Sequence, residues 1–472
     1  MNKTELRNFA VSARRDLLEK VALRAKIFGI DEKNGLIIEE KFGQLAINGE
    51  TYSNDKKPAF LALKKQLEIK GYEQLVEEVA YTWFNRIIAI RYMEVNEYLP
   101  ERVNVLSSTT GKVEPDILSE FETMGLDIDS AKIKDLIRQG DSEDAYRKLF
   151  IAQCNALNEI LPFMFEKIHD YIELLLPDFL LDSESVITKL VSNNDLTDSF
   201  REVEVIGWLY QFYNTEPKDE VFANLKKNKK IEKYDIPAAT QLFTPKWIVQ
   251  YMVENSLGQL WLEANPESTI KELMKYYIEP AEQDEEPKQK LEEIRYKNVN
   301  LEEITIIDPC VGSGHILVYA FDLLYQMYEE IGYPSGDIPQ IILERNLFGL
   351  DIDNRATQLA SFALMMKARE KSRRIFRKKL KLNIFSIRES NHLDNEGISK
   401  LLGKNEEERK EIQLILETFI DARSFGSILQ PPKNIDYQKY LEKIQTLGEE
   451  QLTTESYYVY HQMPEVEYLL KQ

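Results

Sequence analysis

The chain has 472 residues, which is more than one compact hydrophobic core usually accommodates and therefore predicts at least two domains. Hydrophobic residues make up 43% of the composition and charged residues 30%, so the chain is not of the disordered class. Sixty basic residues against 80 acidic ones leave a net charge of −20, which repels a polyanion and argues against a simple nucleic-acid binder.

The two cysteines, Cys154 and Cys310, are too few and too far apart for a disulfide framework or a zinc cluster, and their number fits a reducing cytoplasm. No uninterrupted apolar run approaches the roughly 20 residues that a membrane-spanning helix needs, and the amino-terminus carries charges where a signal peptide has its apolar core. We therefore expect a cytoplasmic protein with no membrane partner.

A helical pattern runs from Met1 to about Lys230, which predicts an all-helical amino-terminal domain over residues 1–235. An opening amphipathic helix is indicated by apolar residues at three- and four-residue steps: Leu6, Phe9, Ala10, Ala13 and Leu17. Further helices are predicted over Tyr72–Glu94, Ala145–Leu161 and Lys167–Leu176. Two unusually aromatic segments, Tyr81–Arg86 and Gly207–Tyr213, are interpreted as core packing between helices, because large aromatic side chains contribute the most buried area per residue.

The basic stretch Lys226–Lys230 precedes a change of composition, and we place the domain boundary near Ile236. The polar segment Glu279–Glu293 predicts a solvated loop or short helix inside the second domain, 236–472. After it, strands and helices alternate: Glu303–Asp308, Ile316–Glu330, Leu347–Asp351 and Ala356–Glu370. This βαβ pattern predicts an α/β fold class, with a Rossmann-like parallel sheet flanked by helices.

A glycine-rich loop, Asp308-Pro309-Cys310-Val311-Gly312-Ser313-Gly314, directly follows the first β-branched run of that domain. Glycines at the carboxyl end of a parallel strand let a ligand approach, so the loop is a candidate cofactor cradle, or else an ordinary turn in which Asp308 bonds its own loop. A dinucleotide fingerprint would need glycine at Leu317, and no Gly-Lys-Ser/Thr phosphate loop occurs. The Asp308 carboxylate instead suits a cationic ligand group.

Asp351 closes the next predicted strand, where a carboxylate can accept hydrogen bonds from both hydroxyls of a ribose. Ile352 beside it is placed to lie against a flat purine, whereas Asp353 and Arg355 are interpreted as helix-capping and surface groups. A metal site at Asp351 and Asp353 is the weaker reading, because no histidine or further acid accompanies them.

Three motifs together resemble the S-adenosylmethionine-dependent DNA adenine methyltransferases: Asp308–Gly314, Gly349–Asp353 and Gln241–Trp247. Their order is similar to that of the gamma class. The aromatic segments Tyr81–Glu94 and Val205–Asn214 extend the resemblance to the adenine methyltransferase family of bacteriophage exclusion (BREX) systems, over essentially the whole chain.

The resemblance implies S-adenosyl-L-methionine as cofactor. It implies the following cofactor-binding residues: Thr244, Pro245, Asp308, Pro309, Cys310, Gly312, Ser313, Gly314, Asp351, Ile352, Asn383 and Phe385. Among them, Thr244, Pro245 and the glycine-rich loop would approach the methionine end, and Asp351 would hold the ribose. Ile352 would contact the adenine ring, with Asn383 and Phe385 ending a strand beside it.

The family's catalytic motif, Asn/Asp-Pro-Pro-aromatic, holds the flipped adenine and is absent from the sequence. The one Pro-Pro pair, in Gln430-Pro431-Pro432-Lys433, lacks the aromatic and is interpreted as a loop. We therefore expect no catalytic residues in this chain. The motif is expected C-terminal to Gln472, the chain being an amino-terminal portion of a larger enzyme or a natural variant without the loop.

Cys310 as a nucleophile and the four histidines are assigned no chemistry. The Pro309-Cys310 pair resembles the nucleophile of cytosine-5 methyltransferases but lies within the glycine motif instead of a separate loop. The histidines have no metal-ligand spacing, and we expect no metal: His169, His315, His392 and His461. In the basic run Lys367–Lys381, residues Lys367, Arg373, Arg374, Arg377 and Lys378 are candidates for contacts to DNA phosphates, with a solvated helix face as the alternative.

The sequence thus favours the cofactor-binding part of a site-specific DNA adenine methyltransferase in bacterial phage defence. Its expected partners are double-stranded DNA, gripped mainly by a missing C-terminal region, and other BREX proteins. The alternative is a non-catalytic, cofactor-binding scaffold of the defence complex.

Overall fold

The computed structural model describes residues 1–41, 44–165, 171–447 and 459–472. The chain divides into two compact units. The first comprises Met1–Lys230, Gln241–Phe243 and Ser361–Lys379, and the second comprises Ile231–Thr240, Thr244–Ala360 and Leu380–Gln472. Within the described ranges, no helix combines the length and the apolar character needed to cross a membrane.

The amino-terminal elements belong to the first unit. They are α1 (Lys3–Ile27), β1 (Ile38–Lys41), β2 (Gln44–Ile47), β3 (Glu50–Tyr52), α2 (Lys57–Lys70), α3 (Tyr72–Val95), α4 (Ile117–Glu120), α5 (Ser130–Arg138), α6 (Ser142–Leu157), α7 (Tyr171–Leu174), α8 (Val186–Val191), α9 (Asn194–Ser199), α10 (Glu204–Tyr213) and α11 (Thr215–Lys226). Helix α3 matches its prediction within one residue, and α6 begins and ends earlier than predicted. Of the helix predicted over Lys167–Leu176, residues 167–170 lie outside the described residues.

Helix α1 is stabilised by a hydrogen-bonded cap at its amino-terminus and by the apolar residues of its buried face. The Asn2 side chain accepts a hydrogen bond from the Glu5 N–H, which caps the first turn. The predicted apolar stripe is confirmed, since Leu6, Phe9, Ala10, Ala13 and Leu17 are all buried. Gly29, with φ of +77°, follows the helix in the left-handed conformation that glycine tolerates best.

The two aromatic segments form the centre of this unit's core, as predicted. The Tyr213 ring on α10 lies 4.6 Å from both the Tyr81 and the Phe84 rings on α3, measured between centroids. Trp83 is fully buried, and its Nε1 donates a hydrogen bond to the Ile172 carbonyl at 3.3 Å. The aromatic residues therefore hold α3 and α10 together and do not form an exposed stacking surface.

The prediction that this region is all-helical is wrong, because β1, β2 and β3 form a three-stranded antiparallel sheet. Strands β2 and β3 are joined by Asn48-Gly49, with φ of +48° and +88°. Two consecutive positive φ angles at an Asn-Gly pair are typical of the hairpin turn whose twist matches antiparallel strands. The Asn-Gly pair is visible in the sequence, but strands of three and four residues are too short to be recognised within the surrounding helical pattern.

The later elements are α12 (Ile236–Thr240), α13 (Lys246–Val253), α14 (Gln259–Ala264), α15 (Glu285–Ile294), β4 (Ile306–Asp308), α16 (His315–Glu330), α17 (Ile338–Ile341), β5 (Leu347–Asp351), α18 (Asn354–Lys371), β6 (Asn383–Ser386), α19 (Asn395–Leu402), α20 (Glu406–Thr418), α21 (Ala422–Phe425), α22 (Tyr437–Thr446) and α23 (Met463–Lys471). Helix α18 contributes to both units, and the rest lie in the second. The polar segment predicted as a loop or short helix contains α15, which has no buried residue.

The second unit is built around a parallel sheet in the order β4-β5-β6. Residues Ile306, Ile307 and Asp308 pair with Leu347, Phe348 and Gly349, and residues 348–351 pair with 383–386. Strand β5 and helix α16 lie where the sequence predicts them. The α/β class is therefore confirmed for this unit, and the carboxyl ends of three strands share one edge.

Candidate cofactor-binding site

The glycine-rich loop turns sharply between β4 and α16. The Val311 N–H donates to the Leu350 carbonyl at 2.8 Å, which fastens the loop to the end of the neighbouring strand. Gly312 and Gly314 adopt left-handed conformations with φ of +53° and +84°. Because residues with a Cβ rarely adopt such angles, these two positions explain why the loop needs glycine.

Two glycines also allow close packing around the loop. A Cβ added at Gly314 would lie 3.0 Å from the Cα of Ala360, so α18 approaches the loop backbone directly. A Cβ added at Gly349 in β5 would lie 2.9 Å from the Val311 and Ile384 side chains. The glycines thus set the distance between the loop, the sheet and α18, and Gly349 acquires a role that was not predicted from the sequence.

Asp351 links the loop to the start of α18. Its Oδ2 accepts a hydrogen bond from the Gly312 N–H at 2.8 Å, and its Oδ1 accepts one from the Asp353 N–H at 2.8 Å. Desolvation by burial outweighs these two hydrogen bonds and raises the pKa of Asp351 to about 6, with the charges of Asp353 and Asp308 adding to the shift. Among the described residues, no cation pairs with this carboxylate.

Asp308 is a second buried carboxylate at the same edge. Its Oδ1 accepts a hydrogen bond from the Cys310 N–H at 3.1 Å, and burial raises its pKa. Asp353 behaves differently: burial opposes its ionisation, but the charge and hydrogen bonds of Arg355 lower its pKa. Asp353 also accepts the Arg355 N–H at the start of α18, which fits its predicted capping role.

Thr244 and Pro245 lie beside the glycine-rich loop. Pro245 directly precedes α13, and the Thr244 carbonyl oxygen lies 3.0 Å from Nδ1 of His315, the residue after Gly314. The structure therefore brings Thr244, which lies 71 residues before His315 in the sequence, to the amino-terminus of α16.

Ile352 is partly buried next to a segment that was not predicted to belong to the site. The Arg423 Nε donates a hydrogen bond to the Ile352 carbonyl at 3.1 Å, and a Cβ added at Gly426 would lie 3.7 Å from the Ile352 side chain. No local motif marks Arg423 or Gly426, so only the folded chain reveals them.

Two other residues of the glycine-rich loop differ in exposure: Cys310 is exposed and Ser313 is buried.

Asn383 and Phe385 lie at different ends of β6, and only Phe385 is near the carboxyl edge of the sheet, where Asp351 lies. Asn383 begins β6, and its Nδ2 donates to the Glu344 carbonyl at 3.0 Å, near the amino end of β5. The structure therefore places it at the end of the sheet opposite to Asp351, because parallel strands have their amino ends together. Phe385, near the carboxyl end of β6, packs with its ring 5.9 Å from the Tyr468 ring.

The candidate DNA-contacting residues belong to the first unit. Arg373, Arg374 and Arg377 are exposed, Lys378 is partly buried, and the Lys367 Nζ pairs with Glu370 at 3.0 Å. Helix α18 ends at Lys371, so Arg373 and Arg374 follow the helix, and Arg377 ends the short 3-10 helix Ile375–Arg377. Of the five candidates, only Lys367 lies on α18 itself.

The chemistry of the site edge follows from its charges. Burial raises the pKa of both Asp308 and Asp351, and the charge of Asp308 adds to the shift at Asp351. A ligand with positive charge or several hydroxyl donors would favour the ionised carboxylates. The left-handed glycines leave the loop without side chains that would block such a ligand. The arrangement thus suits a ligand that combines positive charge with hydroxyl donors.

Two relatives are similar to nearly the whole chain. The adenine-specific methyltransferase BrxX of Escherichia coli O9:H4 (strain HS) is 39% identical over 482 residues, which cover 95% of this chain and 40% of that protein. The adenine-specific methyltransferase PglX of Lacticaseibacillus casei (strain Zhang) is 42% identical over 483 residues, covering 94% of this chain and 39% of that protein. The chain spans about two fifths of the length of these relatives. No protein-family model matches it.

Proposed function

Since the chain is homologous over nearly its whole length to part of the adenine-specific methyltransferases PglX and BrxX, we propose that it supplies the S-adenosyl-L-methionine-binding part of a DNA adenine methyltransferase. The proposed setting is a bacterial BREX phage-defence system in the cytoplasm. When bound, the cofactor supplies an activated methyl group for the adenine amino nitrogen.

The observation that carries this proposal is the position of Asp351. It ends β5 at the carboxyl edge, where parallel sheets bind nucleotide-like ligands, and it already organises the glycine-rich loop through Gly312. Each carboxylate oxygen has a further lone pair for a ribose hydroxyl. The fit extends to charge, because the cofactor's sulfonium and ammonium groups are cations and would lie beside Asp308.

The other residues take the roles that the family resemblance implies. Thr244 and Pro245 approach the methionine end together with the loop residues Pro309, Cys310, Ser313 and Gly314. Ile352 contacts the adenine ring, with Phe385 as the nearest candidate from β6. Asn383 is left out of this set, because its amide binds backbone carbonyls at the other end of the sheet.

We assign residues 236–472 to the methyltransferase domain and residues 1–235 to an amino-terminal domain that serves other contacts. Asn/Asp-Pro-Pro-aromatic does not occur in the 472 residues, so binding of the flipped adenine is not assigned to them. Double-stranded DNA and other BREX proteins are the proposed partners. Arg373, Arg374 and Arg377 supply local contacts to phosphate.

The alternative function is that of a non-catalytic scaffold. A chain that binds the cofactor without holding a target base would act as a scaffold of the defence complex, with the cofactor stabilising its fold.

Calorimetric titration tests the cofactor assignment. S-Adenosylmethionine and S-adenosylhomocysteine should bind with one site per chain, whereas NAD and ATP should not bind, because no dinucleotide or triphosphate loop is present. Radiolabelled methyl transfer to DNA tests the alternative: transfer by the purified chain contradicts the scaffold, whereas binding without transfer is the result that both functions predict. Binding of NAD but not of S-adenosylmethionine would contradict both.

A further inference from the structure

His315 occupies a place that its lack of metal-ligand spacing did not reveal. It is the first residue of α16, directly after Gly314, and its ring is partly buried. Its Nδ1 lies 3.0 Å from the backbone carbonyl oxygen of Thr244. One side chain thus connects the glycine-rich loop to the segment that begins α13.

The direction of this hydrogen bond follows from its acceptor. A carbonyl oxygen has only lone pairs, so Nδ1 of His315 must carry the hydrogen and donate it. This fixes the ring as the Nδ1–H tautomer when it is neutral and leaves the bond intact when the ring is protonated. Because the acceptor is a backbone atom, the bond restrains the path of the chain at Thr244.

A second contact one turn further along α16 supports the same helix pair. The Tyr319 hydroxyl donates a hydrogen bond to Oε1 of Glu254 at 2.6 Å, and Glu254 is fully buried in the π-helical turn Glu254–Gly258 that follows α13. Residues four apart lie on the same face of a helix. Tyr319 therefore fixes the far end of α13, and His315 controls the end next to the loop.

We propose that His315 is a positioning residue for the amino-acid end of the cofactor. It holds Thr244 and Pro245 against the Gly312–Gly314 loop, so that both sides of the subsite for the methionine group are set before the ligand arrives. This inference rests on the proposed function, since it assumes that S-adenosylmethionine is the ligand. It assigns no contact between His315 and the ribose or adenine.

Three ligands separate the two ends of the site. S-Adenosylmethionine and S-adenosylhomocysteine carry the amino-acid group, whereas 5′-methylthioadenosine lacks it. Replacement His315→Phe should weaken binding of the first two about tenfold and leave the affinity for methylthioadenosine unchanged. The variant His315→Asn, whose amide nitrogen can reach the place of Nδ1, should restore the wild-type ratio of affinities.

Two control variants make the result specific. Asp351→Ala should weaken all three ligands, because each carries the ribose. His392→Asn, at an exposed histidine that pairs with Glu465, should change none of them. Thermal unfolding without ligand shows whether each variant is folded, and if His315→Phe is not, His315→Ala, which removes the donor without adding bulk, takes its place.

The outcomes distinguish this inference from the proposed function. If the wild-type chain does not bind S-adenosylmethionine, the proposed function fails first. If the wild type binds all three ligands and His315→Phe weakens them equally or not at all, the positioning role is wrong. An equal loss for all three ligands in a folded His315→Asn would contradict it in the same way.

Discussion

In the first unit, the carboxylate of Glu94 is buried with a full set of protein partners. The Val105 and Leu106 N–H groups donate to Oε1 at 2.6 Å each, and Arg91 donates to Oε2 at 3.1 Å. In the second unit, Asp351 accepts two backbone N–H groups as well, but it has no cationic partner among the residues described. Glu94 has its hydrogen-bond and charge partners within the protein, although burial still raises its pKa, whereas the Asp351 oxygens keep lone pairs for hydrogen bonds from a ligand.

Two carboxylates within the second unit, Asp351 and Asp353, allow a closer comparison. Asp351 and Asp353 are two residues apart, and burial opposes the ionisation of both. Arg355 nonetheless holds the pKa of Asp353 low, while the pKa of Asp351 rises to about 6. The difference between these two neighbours is the guanidinium group of Arg355, so a cationic partner sets the direction of the pKa shift at this edge of the sheet.

The largest expected effect is a loss of stability at the buried ion pair of Glu94 and Arg91. Glu94→Ala leaves Arg91 buried without its carboxylate, and breaking such a pair costs about 3 to 5 kcal/mol of unfolding free energy. Urea denaturation measures the loss, with the exposed Glu68→Ala on α2 as a control expected to change stability by less than about 0.5 kcal/mol. A loss at Glu94 no larger than that at Glu68 would contradict the structural role of the pair.

The two loop glycines should differ in their tolerance of a Cβ. Gly312→Ala faces open space and should cost about 1 to 2 kcal/mol through its left-handed conformation alone. Gly314→Ala should cost at least about 1 kcal/mol more, because its Cβ also meets the Ala360 backbone. Equal losses in denaturant melts of the two variants would show that α18 does not pack this closely.

The pH dependence of cofactor binding sharpens the comparison of the carboxylates. A ligand that needs ionised Asp351 binds fully above its pKa of about 6 and loses affinity as pH falls through it, by about tenfold at pH 5 relative to pH 7. Titrations of Asp351→Asn should show a flatter profile, although Asp308, whose pKa is also raised, leaves a residual slope. A wild-type profile that is flat between pH 7 and 5 would contradict a role for the carboxylate.

The smallest effect concerns the exposed arginines. Reversing charge at Arg373 and Arg374, in a full-length enzyme that contains this region, should reduce the magnitude of the salt slope of DNA binding by about 2. The double variant Lys64→Glu and Lys65→Glu is the control: it reverses the same number of charges at exposed positions on α2, and it should leave the slope unchanged. An unchanged slope for the arginine variant would return that turn to a solvated surface.

Local patterns predicted those parts of the site that one stretch of sequence determines. The β-branched run Ile304–Ile307 predicted the strand that contains β4, and an apolar stripe predicted helix α16. The left-handed glycines follow from the Gly-Ser-Gly spacing. The motifs Asp308–Gly314, Gly349–Asp353 and Gln241–Trp247 indicated a resemblance to PglX-type adenine-specific methyltransferases. The two relatives confirm this resemblance.

Long-range packing decided what the sequence could not predict. Asn383 was assigned to the wrong end of β6, because strand bounds and register fix which residue reaches an edge. Arg423, Gly426 and the link from His315 to Thr244 join segments more than 60 residues apart, and no local period marks them. The β1–β3 sheet was missed because its strands are so short.

The central claim is that the Asp351 edge binds S-adenosylmethionine, and calorimetry on the wild type and Asp351→Ala at pH 7.5 tests it most directly. Loss of hydrogen bonds to a charged group, at about 1.5 to 3 kcal/mol each, predicts an affinity at least about 100-fold lower in the variant, provided that both proteins remain folded. Equal affinities, or no binding to the wild type, would contradict the assignment of this edge to the cofactor.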